Sequence, residues 1–126
     1  MEAEARLLEL NPVVPVKQMQ ESLDFYVARL GFVRVFDDGA NDSETITYAG
    51  VRRGSLCLHL QAMVPGQPEA MPLIRIRVEN IEALYKEYEE RGLIGKGGHL
   101  EAKPWGSKDF GVYDPNGAAL VFYEDL

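Results

Sequence analysis

The chain carries a rough copy of itself displaced by 62 residues: Val16 leads into one amphipathic helical pattern and Val78 into another. A repeat of this length in a short chain points to duplicated βαβββ modules rather than one continuous topology. Met19 falls on Ile81, whereas Gly31-Phe32 lies one residue out of step with Gly92-Leu93. The displacement decides which side chains can share a site.

With 126 residues, 46% of them hydrophobic, the chain suffices for one domain spanning 1–126, built from modules at about 8–62 and 72–126. Each module alone is too small to bury an adequate core, so the two must pack together or against a second chain. The fold class expected is α+β. No stretch reaches the roughly 20 apolar residues of a membrane helix, and the start lacks the basic-then-apolar order of a signal peptide. A soluble, cytoplasmic protein with no membrane partner is the expectation.

The single cysteine, Cys57, has no internal disulfide partner and reads as a buried strand residue. The sequon Asn41-Asp42-Ser43 matters only in a secreted protein. A net charge of −7, with a pI near 4.8, argues against nucleic acid, whose phosphates need a basic stripe, and favours cationic ligands at long range.

Leu8 to Val16 reads as an extended segment, and Pro12 and Pro15 mark it as an edge or first strand because proline donates nothing to a ladder. Met19, Leu23, Tyr26, Val27 and Leu30 recur at helical spacing, with Gly31 as the stop. Strands are predicted at Phe32–Phe36, ending at the Asp37-Asp38-Gly39 turn, then at Glu44–Val51 and Ser55–Gln61. A connection at Met63–Met71 leads to a strand at Leu73–Val78 and a helix at Ile81–Arg91, with Asn80 placed to cap it. Three short strands follow Gly97-Gly98-His99, and Asp114-Pro115-Asn116-Gly117 makes a hairpin turn between two of them.

Ser22-Leu23-Asp24-Phe25-Tyr26, Leu30-Gly31-Phe32, Trp105-Gly106 and Asp114-Pro115-Asn116-Gly117 stand in the order that resembles the glyoxalase, bleomycin-resistance and extradiol-dioxygenase superfamily, the vicinal oxygen chelate fold. The resemblance covers nearly the whole chain. It implies two βαβββ modules in tandem forming a curled mixed sheet around a cavity, often completed by a homodimer.

The superfamily's enzymes hold a divalent metal with His or Glu at positions that here resemble Asn11, His59, Leu73 and Val121. These pair at the same displacement of 62, Asn11 with Leu73 and His59 with Val121. Only His59 is a good ligand, and leucine and valine have no lone pair. A catalytic metal needs about three protein donors. No metal, no other cofactor and no catalytic residue is therefore expected.

The loss points to metal-free members such as the bleomycin resistance proteins, in which a dimer sequesters a cationic glycopeptide between aromatic and acidic groups. By that resemblance Trp105, Phe110 and Tyr48 are candidate ligand walls, since flat rings stack on planar or cationic groups, with simple packing the alternative for Trp105 and a core position in an alternating strand the stronger alternative for Phe110 and Tyr48. His59 and Asn11 join them as candidate ligand-binding residues, and His99 reads as an exposed bystander.

Within Leu73-Ile74-Arg75-Ile76-Arg77-Val78 the isoleucines face the helix, so Arg75 and Arg77 share the Leu73 face assigned to the cavity. An unpaired Arg75 would make the ligand anionic; a partner acid from the protein would remove that reading. Three readings stay open: a metal-independent binder of a small organic molecule, possibly an antibiotic; a lyase, isomerase or dioxygenase with a non-standard site, His59 acting as base; and a dimeric stability or regulatory module with a filled cavity.

Overall fold

The computed structural model of the chain describes residues 3–39, 45–64 and 70–126. The sequon and the middle of the connection between the halves lie outside them. The first module runs β1 (Val13–Val16), α1 (Met19–Asp24) continuing as a π-helical stretch (Phe25–Arg29), β2 (Val33–Asp37), β3 (Tyr48–Arg53) and β4 (Leu56–Ala62). The second runs β5 (Leu73–Arg77), α2 (Ile81–Glu90), β6 (Glu101–Ala102), β7 (Ser107–Tyr113) and β8 (Ala119–Asp125). The α+β tandem βαβββ architecture is thus present. Its strands form two four-stranded mixed sheets, β1-β4-β3-β2 and β5-β8-β7-β6, one per module.

Strand register carries the duplication directly. Val13 pairs with His59 in the parallel β1–β4 ladder, and Arg75 pairs with Val121 in the parallel β5–β8 ladder, both residues shifted by the same amount. Each sheet turns one face to the helices: Val14, Val16, Ala49, Val51, Leu58 and Leu60 in the first, Ile76, Phe110, Val112, Leu120 and Phe122 in the second. The alternation leaves the opposite faces to polar and aromatic side chains.

The slip at Gly31 has a local cause. The first helix holds one residue more than the second between its start and its glycine, and the surplus is taken up where Leu30 N–H bonds back to Phe25 O, five residues away, at 3.0 Å. A single π-type turn of this kind absorbs an insertion without breaking the helix. Gly31 then ends it at φ 84°, a conformation that favours glycine.

Helix capping departs from expectation. Asn80 adopts a left-handed φ of 60° and its side chain makes no cap bond. Glu124 of β8 supplies the cap instead, its carboxylate accepting from Asn80 N–H at 3.0 Å and Ile81 N–H at 3.1 Å. A carboxylate there also complements the positive end of the helix dipole.

The first strand is shorter than predicted, and residues 3–12 form no helix or strand, with Leu7, Leu8 and Leu10 exposed at 102%, 81% and 86%. β1 does occupy a sheet edge, as its prolines require.

The modules meet through reciprocal bonds. Arg29 and Arg91 each donate to the other's main-chain carbonyl, at 2.7 and 2.6 Å. Tyr26 reaches Asp114 at 2.8 Å, and its counterpart Tyr88 reaches Leu30 O at 2.7 Å. Both rings are fully buried. Burial, followed by the charge of Asp114, pushes the Tyr26 hydroxyl far above its ordinary range. Burial pushes Tyr88 up to about 12, although Arg53 pulls against it.

Candidate ligand-binding site

Two faces turned away from the helices carry the candidate residues, one on each sheet. On the first, Tyr48 and His59 are joined by a 2.8 Å hydrogen bond between the phenol oxygen and Nδ1. That contact fixes the imidazole ring and leaves Nε2 for other partners. Phe36, which sequence reasoning treated only as a strand end, stacks on Tyr48 with centroids 6.2 Å apart and meets His59 edge-on at 5.1 Å.

Gly50 makes this cluster possible. It is the cross-strand partner of both Phe36 and His59, and a Cβ added to it would stand 2.1 Å from Cε1 of Phe36. A glycine inside a strand, facing an aromatic residue, was the signal by which Phe36 could have been found.

Asn11 lies half-buried just ahead of β1, whose approach to β4 is marked by His59 N–H donating to Pro12 O at 2.9 Å. Cys57, expected to be buried, is half-buried, two residues from His59 on the same strand.

On the second face Arg75 is committed to the protein itself. Its guanidinium bonds Asp109 at 3.2 Å and lies over the ring of Tyr123, 4.4 Å from the centroid. Ser107 donates to the other oxygen of Asp109 at 2.5 Å. Asp109 is almost fully buried, so the pairing is what allows its charge to be there.

Trp105 projects from the turn before β7, 67% exposed, with the Lys103 ammonium 5.9 Å from its ring centroid. It borders a cavity of about 520 Å3 together with Asp109, Tyr113 and Val121. Phe110 is also among the residues that line this cavity. It is 2% exposed and turns its ring to the helix side, stacked on Phe122 at 5.1 Å and edge-on to Tyr85 at 5.3 Å. His99 accepts or donates one 3.1 Å bond with Tyr85 at the surface.

The structure therefore brings Tyr48 and His59 together and adds Phe36, while Trp105 and Arg75 belong to the other sheet. The four positions where the fold family places a metal do not fit one. Leu73 and Val121 offer no donor, and among the described residues no group of three or more His, Cys, Asp or Glu side chains gathers to hold an ion.

Two tandem βαβββ units, each packing one sheet face against the helices, define the fold class. The chain belongs to the glyoxalase/bleomycin resistance protein/dioxygenase superfamily, whose family model matches residues 9–122. A bleomycin resistance protein from Geobacillus stearothermophilus is 25% identical, the match covering 95% of this chain and 98% of that relative. In fold the chain is similar to the bleomycin-binding protein of bleomycin-producing Streptomyces verticillus, solved with copper(II)-bleomycin, with a TM-score of 0.73 at 24% identity over 94% and 97% of the two chains. In fold it is also similar to a glyoxalase-related enzyme from Clostridium phytofermentans, with a TM-score of 0.78 at 22% identity over 99% and 100% of the two chains. Among the described residues no helix is long and apolar enough to cross a membrane.

Proposed function

We propose that this protein is a metal-independent, non-catalytic binding protein of the cytoplasm that sequesters a small organic ligand of the bleomycin type, working as a homodimer. The observation that carries the reading is the partly exposed Phe36–Tyr48–His59 cluster, for which Gly50 leaves room, on a fold where Leu73 and Val121 at two of the metal positions offer no donor. Exposed rings of this kind stack on heteroaromatic and cationic ligand groups. The curated bleomycin resistance relatives support the ligand class, and the negative net charge supports a cationic one.

Arg75 is neutralised by Asp109, which removes the unpaired cation on which an anionic ligand would depend. The exposed leucines of residues 3–12 support a dimer, because a second copy would cover them. A monodisperse monomer in solution scattering would overturn that part.

The test is calorimetry and thermal unfolding with metal-free and copper-loaded bleomycin. Both forms should bind and raise the melting temperature, by about 2.7 kcal/mol of added stability at 100 times the dissociation constant. Absence of heat and of any thermal shift would remove the ligand assignment. Stoichiometric zinc, iron, manganese or nickel in the purified protein would remove the metal independence.

A further inference from the structure

The two hairpins that cross between modules close their seats unequally. In the second module the turn between β7 and β8 inserts Asn116 against the first: its Oδ1 accepts from Lys17 N–H at 2.8 Å and its Nδ2 donates to Ser22 at 3.0 Å. In the first module the turn between β3 and β4 has only Gly54 and Ser55 between the strands, with no side chain that reaches across as Asn116 does. Arg53 bridges to Glu87 at 2.8 and 3.0 Å, and beside that bridge a cavity of about 560 Å3 remains.

The counterparts at a displacement of 62 show what this cavity lacks. Glu79 stands where Lys17 stands, and among the described residues nothing accepts from its main-chain N–H. Leu84 stands where Ser22 stands, so the wall is apolar, joined by the half-buried Leu56 and Val78. Four charged side chains line the rim, Arg53 and Arg77 against Glu79 and Glu87, and they balance to zero. Arg53 and Glu87 pair with each other, while among the described residues Arg77 and Glu79 are exposed and hold no ion pair, so a ligand group that both accepts and donates suits the rim better than a single charge.

We propose that this cavity is a second binding site, for a small uncharged aromatic carboxamide, its amide taking the place that Asn116 takes in the other module and its ring lying on Leu56, Val78 and Leu84. The carboxamide oxygen accepts from Glu79 N–H. Its NH2 group meets the carboxylates of the rim. The site is separate from the aromatic face of the first sheet and from the Trp105 cavity, so it stands or falls independently of the bleomycin reading.

Benzamide is the probe, titrated into the full chain and followed by amide 1H–15N shifts. The amides of Gly54, Ser55, Glu79 and Leu84 should move and saturate with a dissociation constant on the order of millimolar, as suits a fragment of this size. Benzoate should bind at least about fivefold more weakly, since it has no N–H to give to the carboxylates of Glu79 and Glu87 and shares their charge. Gly54→Asn supplies the missing carboxamide at φ 61°, which asparagine tolerates, and its Cβ meets nothing within 4 Å. It should weaken benzamide at least about tenfold, as should Leu84→Trp, which fills the cavity from the helix. No saturable shift at these amides, equal affinity for benzoate, unchanged binding in both folded variants, or shifts centred on Trp105 or Tyr48 would each overturn the proposal.

Discussion

Arg29 and Arg91, 62 residues apart, exchange hydrogen bonds: each guanidinium donates to the other residue's carbonyl. The pair marks the local twofold relation between modules in its most compact form. Both bonds are solvent-exposed, so replacing either arginine by methionine should cost only about 0.5–1 kcal/mol in urea unfolding. Arg91→Met should cost slightly more, because Arg91 also pairs with Glu87 at 3.3 Å.

Alkali should loosen the same interface. Folding holds the protons of Tyr26 and Tyr88 beyond the usual phenol range, Tyr88 up to about 12. Above a pH of about 10 the unfolded chain loses these protons while the folded chain keeps them, so it binds more protons folded than unfolded and stability falls as pH rises. The contribution is complete below about pH 10 and is lost progressively through the folded values. Denaturant unfolding between pH 8 and 11 should show this decline, and Tyr88→Phe should flatten it. Tyr26→Phe should flatten it further and also cost about 1–3 kcal/mol at neutral pH, since Asp114 loses a buried donor.

Gly50→Ala should separate binding from folding. The methyl group would collide with the Phe36 ring and force it off Tyr48 and His59. A stability loss of about 1–3 kcal/mol is expected from the strain, with a fall in bleomycin affinity measured by calorimetry. Unchanged affinity would show that the cluster is not a ligand surface.

Trp105→Ala and Phe110→Ala should behave oppositely, although both rings were named as candidate walls. The exposed tryptophan should leave stability within about 0.5 kcal/mol while weakening ligand binding. The buried phenylalanine should cost about 3–5 kcal/mol of stability, read from the unfolding midpoint.

Glu124→Gln should lower stability by about 0.5–2 kcal/mol, because it weakens the cap on α2. Asn80→Ala should do so through its left-handed backbone, with no cap bond lost.

Periodicity made much of this fold legible. Alternation assigned Ile76 and Arg75 to opposite faces, and the repeat placed His59 and Val121 at matching ladder positions. At β7 the same alternation sets Ser107, Asp109 and Gly111 on one face and Phe110 and Val112 on the other. What periodicity does not encode is contact between strands. Phe36 became a site residue only through Gly50 across the ladder, and Arg75 was neutralised by an aspartate 34 residues away. The cap of α2 failed for the same reason: the acid came from β8, while asparagine at the helix start suggested a local solution.

The π-type turn before Gly31 has a companion in the longer loop that carries Asn116. Gly31 and Gly92 correspond at a displacement of 61, as Gly50 and Gly111 do in their strands, and at β4 and β8 the halves correspond at 62 again. Each half has thus gained a residue where the other has none, and each gain is confined between two fixed points. Deleting one residue from the π-type turn should therefore tighten it to an ordinary α-helix while leaving β2 and its partners in register. Duplicated architecture of this sort tolerates drift in length because its errors are corrected within a single turn of chain, before they reach the next ladder.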